Sequence, residues 1–376
     1  MKTSKSWPDF RFNLEEIAGA VGDYGTLIPI VLGVAIISHV NLGYILLFFS
    51  LWYITTGLYY KMPVPVEPMK AIGVVVIAEG LTKNVIAASG MILGILFLVL
   101  GMGKGMKFIQ GKVPHSVIRG IQLGLALLLL KTSVSFFLKD YFMALVCIFV
   151  VIGFSAAKRA KGIPDISALV ILSIGVCVGI YMYGIPPIAV IQLPKIIIPA
   201  FKDFLEGFWS LALPQTPLTI SNAILATTLL MQDLLHKDVD PDRLSITIGL
   251  MNLTSVPFGG FPMCHGAGGL AAQYRFGART GGSNIVSGFI LLPIALFFAS
   301  SEFVALIPFG VFGALLLFVA VELGKNSLKT DSCTITSIVG LLALIGGITI
   351  AFIGGMILTM VLTRMHRKVF MKSNKA

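Results

Sequence analysis

Apolar runs about as long as a bilayer is thick follow one another along this chain, separated by short polar breaks. A membrane-spanning helix needs roughly 20 mainly apolar residues, and runs of this kind extend from Phe12 to Leu362. The pattern predicts about 14 spans, several of them too short to cross alone as helices. The predicted spans are 12–37, 42–60, 66–80, 85–103, 114–134, 141–157, 164–184, 207–233, 243–258, 262–275, 281–299, 303–323, 332–347 and 348–363.

The composition strengthens this interpretation. Hydrophobic residues make up 56% of the 376 residues, charged residues only 12%, and the mean hydropathy is +0.94. Soluble domains are much less apolar, so the sequence predicts an all-α polytopic membrane protein whose partner is the lipid bilayer. The four cysteines lie far apart, so no metal site or cofactor is expected; they are Cys147, Cys177, Cys264 and Cys333.

The positive charges indicate how the chain is oriented. Its net charge of +11 is dispersed over loops and forms no basic domain, so nucleic acid is not an expected partner. With the N-terminus in the cytoplasm, most Lys and Arg fall on the cytoplasmic side, as the positive-inside rule requires. Lys70 is then the one cation inside the membrane. The sequence predicts a plasma-membrane protein with both termini in the cytoplasm.

Two Pro-rich breaks indicate an internal repeat. Residues 62–73 and 258–269 each read as an extended stretch followed by a helix, with Pro68 and Pro262 at the predicted helix starts. The two breaks lie about half a chain length apart, as two inverted halves of seven spans would require. Irregular backbone at membrane depth is tolerated only where it is packed in protein or lines a cavity.

Two half-helices that begin near the membrane centre would form an anion site. Each N-terminus carries about half a positive charge, so two of them with Lys70 give roughly +2, which complements a dianionic oxyanion. Gly266, Gly268 and Gly269 would let a ligand approach the backbone closely. The alternative for these glycines is close helix packing.

Three ionisable residues inside predicted spans are candidates for proton coupling, because such groups are costly in a membrane. They are Asp23, Glu67 and His265. An ionised Glu67 would cancel about half of the positive field, so we hypothesise that it binds a proton when the substrate binds. The alternatives are an ion pair of Lys70 with Glu67 or Asp23, and a structural role for His265.

A polar stripe in the predicted span 207–233 could contribute to the same site. Gln215, Thr219 and Asn222 share one helix face and could donate hydrogen bonds to oxyanion oxygens. The alternative is hydrogen bonding between helices.

Four segments resemble the molybdate transporter branch of the sulfate permease superfamily. They are residues 19–29, residues 63–73, residues 213–219 with Asn222, and residues 261–280, whose sequence FPMCHGAGGLAAQYRFGART is the most specific. The position of Glu67 is typically Gln in that branch, and no regulatory (STAS) domain is expected here. The resemblance covers about residues 12 to 330.

The resemblance implies the fold shared by sulfate permeases and uracil permease, with seven spans followed by an inverted seven. The implied division is an N-terminal tail (1–11), a core domain (12–103 and 206–300), a gate domain (113–185 and 302–365) and a C-terminal tail (366–376). Substrate would lie between the half-helices of the third and tenth spans. The expected substrate-binding residues are Pro68, Met69, Lys70, Gln215, Thr219, Asn222, Cys264, His265, Gly266, Ala267 and Gly268.

The resemblance implies secondary active import of molybdate by relative movement of core and gate in a homodimer, and the hypothesis for Glu67 adds coupling to the proton gradient. Sulfate, tungstate, bicarbonate and dicarboxylate are alternative substrates, and an anion channel is an alternative mechanism. No intramembrane metal-ligand pair or spacing of a nucleophile and a base supports an enzyme.

Overall fold

A computed structural model describes residues 10–106, 114–161, 167–185, 188, 190–298 and 306–373. Over these ranges the chain is mainly helical. The helices are α1 Leu14–Ala20, α2 Tyr24–Ser38, α3 Leu42–Tyr60, α4 Lys70–Glu79, α5 Lys83–Met102, α6 His115–Lys139, α7 Tyr141–Lys161, α8 Ser167–Tyr183, α9 Phe201–Leu235, α10 Pro241–Ser255, α11 Ala267–Phe276, α12 Gly281–Phe298, α13 Phe309–Ser327 and α14 Cys333–Ser373. Two short strands are β1 Glu67–Pro68 and β2 Met263–Cys264.

Eight helical segments of the described chain are long and apolar enough to cross a membrane. Together with the shorter apolar helices they make this a multi-pass membrane protein. The arrangement of 14 segments as two inverted sevens stays a prediction. Both predicted tails lie partly outside the described residues. One end of each of the predicted spans 164–184, 281–299 and 303–323 also lies outside them.

Several predicted spans contain breaks that the backbone explains. The first span is divided between α1 and α2, and Asp23 is the residue that precedes α2. Helix α9 contains π-helical segments at Phe208–Ala212 and Thr219–Ala226, on either side of a stretch that carries two prolines. Helix α14 is interrupted at Gly347, whose φ of 81° is a left-handed conformation that suits glycine. This break separates the two predicted spans 332–347 and 348–363.

Helices of the first half of the chain pack against helices of the second half. Ser50 of α3 donates to the carbonyl of Gly288 in α12 at 2.8 Å, and Ser133 of α6 donates to the carbonyl of Gly313 in α13 at 2.7 Å. Glycines lie at these interfaces and let the backbones approach closely, as in other membrane helix pairs. The interleaving brings the two Pro-rich breaks together.

The starts of the two half-helices differ from the prediction. Pro68 and Pro262 were expected to begin them, but α4 begins at Lys70 and α11 at Ala267. The reason is that residues 67–68 and 263–264 pair as antiparallel strands, which delays each helix until the pairing ends. Proline has no backbone N–H to donate, but the strand pairing does not need one at Pro68. The N–H of the next residue, Met69, donates to the Pro262 carbonyl at 2.9 Å.

Candidate functional site

The strand pair holds the starts of α4 and α11 side by side. Glu67 is opposite Cys264 and Pro68 is opposite Met263 in the antiparallel register. Asn252 of α10 fixes β2, because its amide accepts from the Met263 N–H at 3.0 Å and donates to the Met263 carbonyl at 2.8 Å. Two helix N-termini therefore meet inside the bundle, where free N–H groups and helix dipoles favour an anion.

A small cavity of about 30 Å³ lies at this junction. Its walls come from both predicted domains, since Gln122 and Leu125 belong to α6, Leu323 belongs to α13, and the other lining residues belong to the predicted core. The lining residues are Glu67, Lys70, Gln122, Leu125, Gln215, Leu218, Asn222, Ala223, Cys264 and Leu323.

The structure brings together some of the predicted binding residues and not others. Lys70, Gln215, Asn222 and Cys264 line the cavity, as does the coupling candidate Glu67. The remaining predicted residues do not line it; they are Asp23, Pro68, Met69, Thr219, His265, Gly266, Ala267 and Gly268. Binding roles for all of these residues stay predictions.

Gln215 of α9 contacts the first turn of α4. Its Oε1 accepts from the Ala71 N–H at 2.9 Å, and its Nε2 donates to Thr219 Oγ1 at 2.9 Å. Gln215 is 3% exposed, so this amide satisfies a helix donor that water does not reach. Within the polar stripe predicted from the sequence, Gln215 thus caps the start of α4 and is held by Thr219, and both Gln215 and Asn222 line the cavity.

Replacing Gln215 tests this capping. We expect Gln215→Leu to destabilise the protein by about 1–3 kcal/mol, because the buried Ala71 N–H loses its acceptor. Thermal unfolding in detergent measures the effect. Gln215→Glu keeps an acceptor oxygen, so its stability should stay closer to that of the wild type while its added negative charge weakens anion binding. Equal loss of stability in both variants would contradict capping by the Oε1 atom.

Lys70 and Glu67 form an ion pair at the N-terminus of the first half-helix, α4. Lys70 Nζ lies 3.4 Å from Glu67 Oε2, and the Glu67 side chain is 1% exposed. The same carboxylate stands against Gly266 and Gly269, and a β-carbon at either glycine would overlap it. Glu67 therefore lies between Lys70 and the N-terminus of α11, where both the ammonium and the helix dipole stabilise a negative charge.

His265 is enclosed on both ring nitrogens. Nδ1 is 2.8 Å from the Pro65 carbonyl and must donate to it, so the neutral ring accepts at Nε2 from Thr247 Oγ1 at 2.8 Å. Tyr60 OH lies 2.8 Å from the same Thr247 hydroxyl. This network favours the structural alternative for His265, because it joins the extended segment before β1 to α10.

Asp23 lies at the break between α1 and α2. It is 2% exposed, and its Oδ2 accepts from Tyr53 OH at 2.7 Å. The carboxylate is within electrostatic range of Glu67 and Lys70, although it does not line the cavity. Asp23 is therefore placed to respond to the charge state of the site without contacting a bound anion there.

Sequence reasoning missed the contribution of the predicted gate domain. Gln122 is the one amide side chain in the predicted span 114–134, and its Oε1 accepts from Arg119 Nη1 at 2.9 Å. That isolated amide in an apolar run was a signal for the site. Leu125 and Leu323 gave no such signal, because a leucine that lines a cavity looks like any other leucine of a membrane helix.

A larger cavity of about 960 Å³ lies elsewhere, between the end of α2 and the start of α13. His39, Asn41 and Asp140 contribute polar groups to a mainly apolar lining, which shares no residue with the small cavity.

Sequence comparison finds related transporters. A family profile described as "Molybdate transporter of MFS superfamily" matches residues 15–129 and 207–323. Molybdate transporter 2 of Arabidopsis thaliana is 32% identical over 84% of this chain and 79% of its own length. Molybdate transporter 1 of the same plant is 33% identical over 84% of this chain and 80% of its own length. Molybdate transporter 1 of Chlamydomonas reinhardtii is 24% identical.

Structure comparison finds the same fold in anion transporters. The transmembrane domain of a cyanobacterial bicarbonate transporter, BicA, aligns with a TM-score of 0.67 and 17% identity over 92% of this chain and 98% of its own. The murine anion transporter Slc26a9 in its inward-facing state aligns with a TM-score of 0.69 and 14% identity over 94% of this chain and 69% of its own. These similarities show an SLC26-type fold, although the description of the family profile refers to the MFS superfamily.

Proposed function

Because this chain belongs to the family of molybdate transporters, we propose that it is a secondary active transporter that imports molybdate. Anion transport as such agrees with both its family and its fold. The observation that carries the proposal is the pair of half-helix starts held side by side by the two short strands, with Lys70 of the first and Cys264 before the second lining one cavity. Import, the preference for molybdate and the coupling are the proposed parts.

The charges around the cavity support a dianion that enters with a proton. The two helix ends and Lys70 supply roughly +2, and an ionised Glu67 reduces this to roughly +1. Glu67 lies against the start of α11, so its carboxylate acts as a resident anion. Protonation of Glu67 would restore the positive field that a dianion needs.

The position of the cavity supports alternating access. Residues of α6 and α13 from the predicted gate form one wall, and residues of the predicted core form the other. Movement of one domain against the other would open the site to one side of the membrane at a time. We further propose a homodimer in the plasma membrane with both termini in the cytoplasm, which rests on the resemblance and on the positive-inside rule.

Uptake of labelled molybdate into proteoliposomes tests the function. The assay is run with excess unlabelled sulfate and with or without an inward proton gradient. We expect uptake that resists sulfate and that the gradient accelerates. Uptake of sulfate in place of molybdate would identify a sulfate permease. Current that depends steeply on voltage, with no accumulation, would identify a channel.

Glu67→Gln tests the coupling. One pH unit supplies about 1.4 kcal/mol per proton, so the gradient should raise wild-type accumulation up to about tenfold and should leave Glu67→Gln unaffected. Glu79→Gln is the matched control, since Glu79 lies at the exposed opposite end of α4. An equal response of Glu67→Gln and wild type would show that the ion pair of Glu67 with Lys70 is structural.

A further inference from the structure

A layer of polar side chains is buried between α1, α3, α11 and α12. Four polar residues at and near the start of α12 are at most 1% exposed; they are Thr280, Ser283, Asn284 and Ser287. Such a stripe is unusual in a membrane helix, where buried polar groups are costly unless they are hydrogen-bonded. It lies inside the predicted core domain, away from the wall that α6 and α13 give to the anion cavity.

Several buried atoms in this layer have no hydrogen-bond partner among the described residues. They are Glu16 Oε2, Asp23 Oδ1, Asn284 Oδ1 and both polar atoms of the Gln273 side chain. Glu16, Asn284 and Gln273 are fully buried and Asp23 is 2% exposed. Buried polar atoms are normally satisfied by protein or by ordered water. Five such atoms in one layer therefore point to water.

Three hydrogen bonds place this layer along successive turns of α12. At the outer end, Glu16 Oε1 accepts from the Thr280 N–H at 3.0 Å. One turn further along α12, Asn284 Nδ2 donates to Thr56 Oγ1 at 3.1 Å. Another turn further, Ser287 Oγ lies 3.0 Å from Tyr24 OH.

The layer ends at Glu67. Tyr53, one turn from Thr56 on α3, donates to Asp23, whose carboxylate is in electrostatic range of Glu67 and Lys70. Asn284 also donates to the carbonyl of Val64, in the extended segment that leads to β1. Glu67 lines the anion cavity and lies three residues after Val64, so it is the point at which the cavity comes nearest to this layer.

Gln273 is held in the layer by a close approach of two backbones. A β-carbon on Gly22 would lie 3.0 Å from the Gln273 Cα, so glycine at position 22 lets α11 pack against the break before α2. Gln273 is fully buried, close in space to the residue that precedes Asp23, and the described residues offer its amide no hydrogen-bond partner.

We propose that a chain of buried water molecules fills this layer and gives protons a route between Glu67 and the end of the bundle where α1 begins. The route is separate from the anion path between core and gate. A proton leaving the Glu67 carboxyl would pass to water beside Asp23, then along Asn284 and Gln273 to Glu16 and out to the predicted cytoplasmic side. The groups that face Asp23 on this path are Tyr53, Tyr24, Glu67 and Lys70. The proton role rests on the proposed function, whereas the hydration does not.

Hydroxyl-radical labelling tests the hydration directly. Tyr53 and Phe49 lie one turn apart on α3, and both are fully buried. Radiolysis of water should label Tyr53 several-fold more than Phe49, because an ordered water generates the radical in place. Gln273→Leu should lower the Tyr53 signal, and Gln232→Leu on the exposed surface of α9 is the matched control. Equal labelling of Tyr53 and Phe49 would overturn the water chain.

The melting temperature of Gln273→Leu is a second test of whether the layer contains water. In a dry layer Gln273→Leu would remove two buried polar atoms that lack partners and would stabilise the protein. In a hydrated layer it displaces water that also serves Asp23 and Asn284, so the melting temperature should fall. A higher melting temperature for Gln273→Leu than for wild type would also overturn the water chain.

Transport assays test the proton route. In Gln273→Leu, gradient-driven molybdate uptake should fall at least about tenfold, as expected when a proton path is interrupted. Exchange of internal for external molybdate needs no net proton movement and should stay within about twofold of wild type. Unchanged gradient-driven uptake would overturn the route. Absence of both activities in wild type would overturn the proposed function, while the labelling result still decides the hydration.

Discussion

Gly266→Ala is expected to slow molybdate uptake severely. The φ and ψ of Gly266 are −97° and 130°, which any residue can adopt, so the requirement for glycine is one of space. An added β-carbon would overlap the Glu67 carboxylate, which is confined on its other side by Lys70. Displacing the half-helix start by about 1 Å should cost about 100-fold in the initial rate of molybdate uptake.

Two variants show whether this loss comes from the contact with Glu67. Gly324→Ala is the control, because a β-carbon there would meet Ala126 at an ordinary distance of 3.9 Å, and its uptake should be near that of wild type. In the double variant Glu67→Ala with Gly266→Ala the overlap is gone, so the melting temperature should match that of Glu67→Ala alone and should not fall further. Normal uptake by Gly266→Ala alone would contradict the close packing of the two half-helices through Glu67.

Lys70→Met should have an effect of similar size. The substitution removes a full positive charge from the cavity and takes the ammonium away from a carboxylate that is 1% exposed. Breaking a buried ion pair destabilises the fold. Removing a buried charge from a binding site separately costs roughly 2–5 kcal/mol of binding, so uptake at low molybdate concentration should fall by about 100-fold. Binding and uptake of labelled molybdate measure this loss, and Lys83→Met at the start of α5 is the control.

The double variant Lys70→Met with Glu67→Gln separates pairing from attraction of the substrate. It removes both charges, so protein stability should recover toward the wild-type value. Molybdate affinity should not recover, because the helix ends alone supply only about half of the positive field. Full recovery of affinity would show that Lys70 serves only to neutralise Glu67.

Both the prediction for Gly266→Ala and the prediction for Lys70→Met depend on the glutamate at position 67. Glutamine, which is typical at this position in the resembling branch, could cap the start of α11 without adding charge. Glutamate instead places an ionisable carboxyl where the substrate is proposed to bind, next to Gly266 and Gly269. The anion site of this chain is therefore expected to depend on pH more strongly than a site with glutamine would.

Much of the fold was present in the linear pattern of residues. Apolar length predicted the membrane helices, because the bilayer leaves few other ways to satisfy the backbone. The Pro-rich breaks predicted two half-helices, and α4 and α11 are helices of ten residues each. Their predicted starting residues were wrong, because strand pairing between positions 195 and 197 residues apart (263 − 68 and 264 − 67) has no local signal.

The sequence by itself determined that this is a multi-pass membrane protein with two interrupted helices and a buried cation at Lys70, since hydropathy and proline positions act locally. Only the tertiary structure decided what each polar residue contacts. It directed Gln215 to the first turn of α4, enclosed His265 between Pro65 and Thr247, and brought Gln122 into the cavity. The physical reason is that a buried polar group is satisfied by whichever distant segment packs against it, and that choice depends on the packing of the whole bundle.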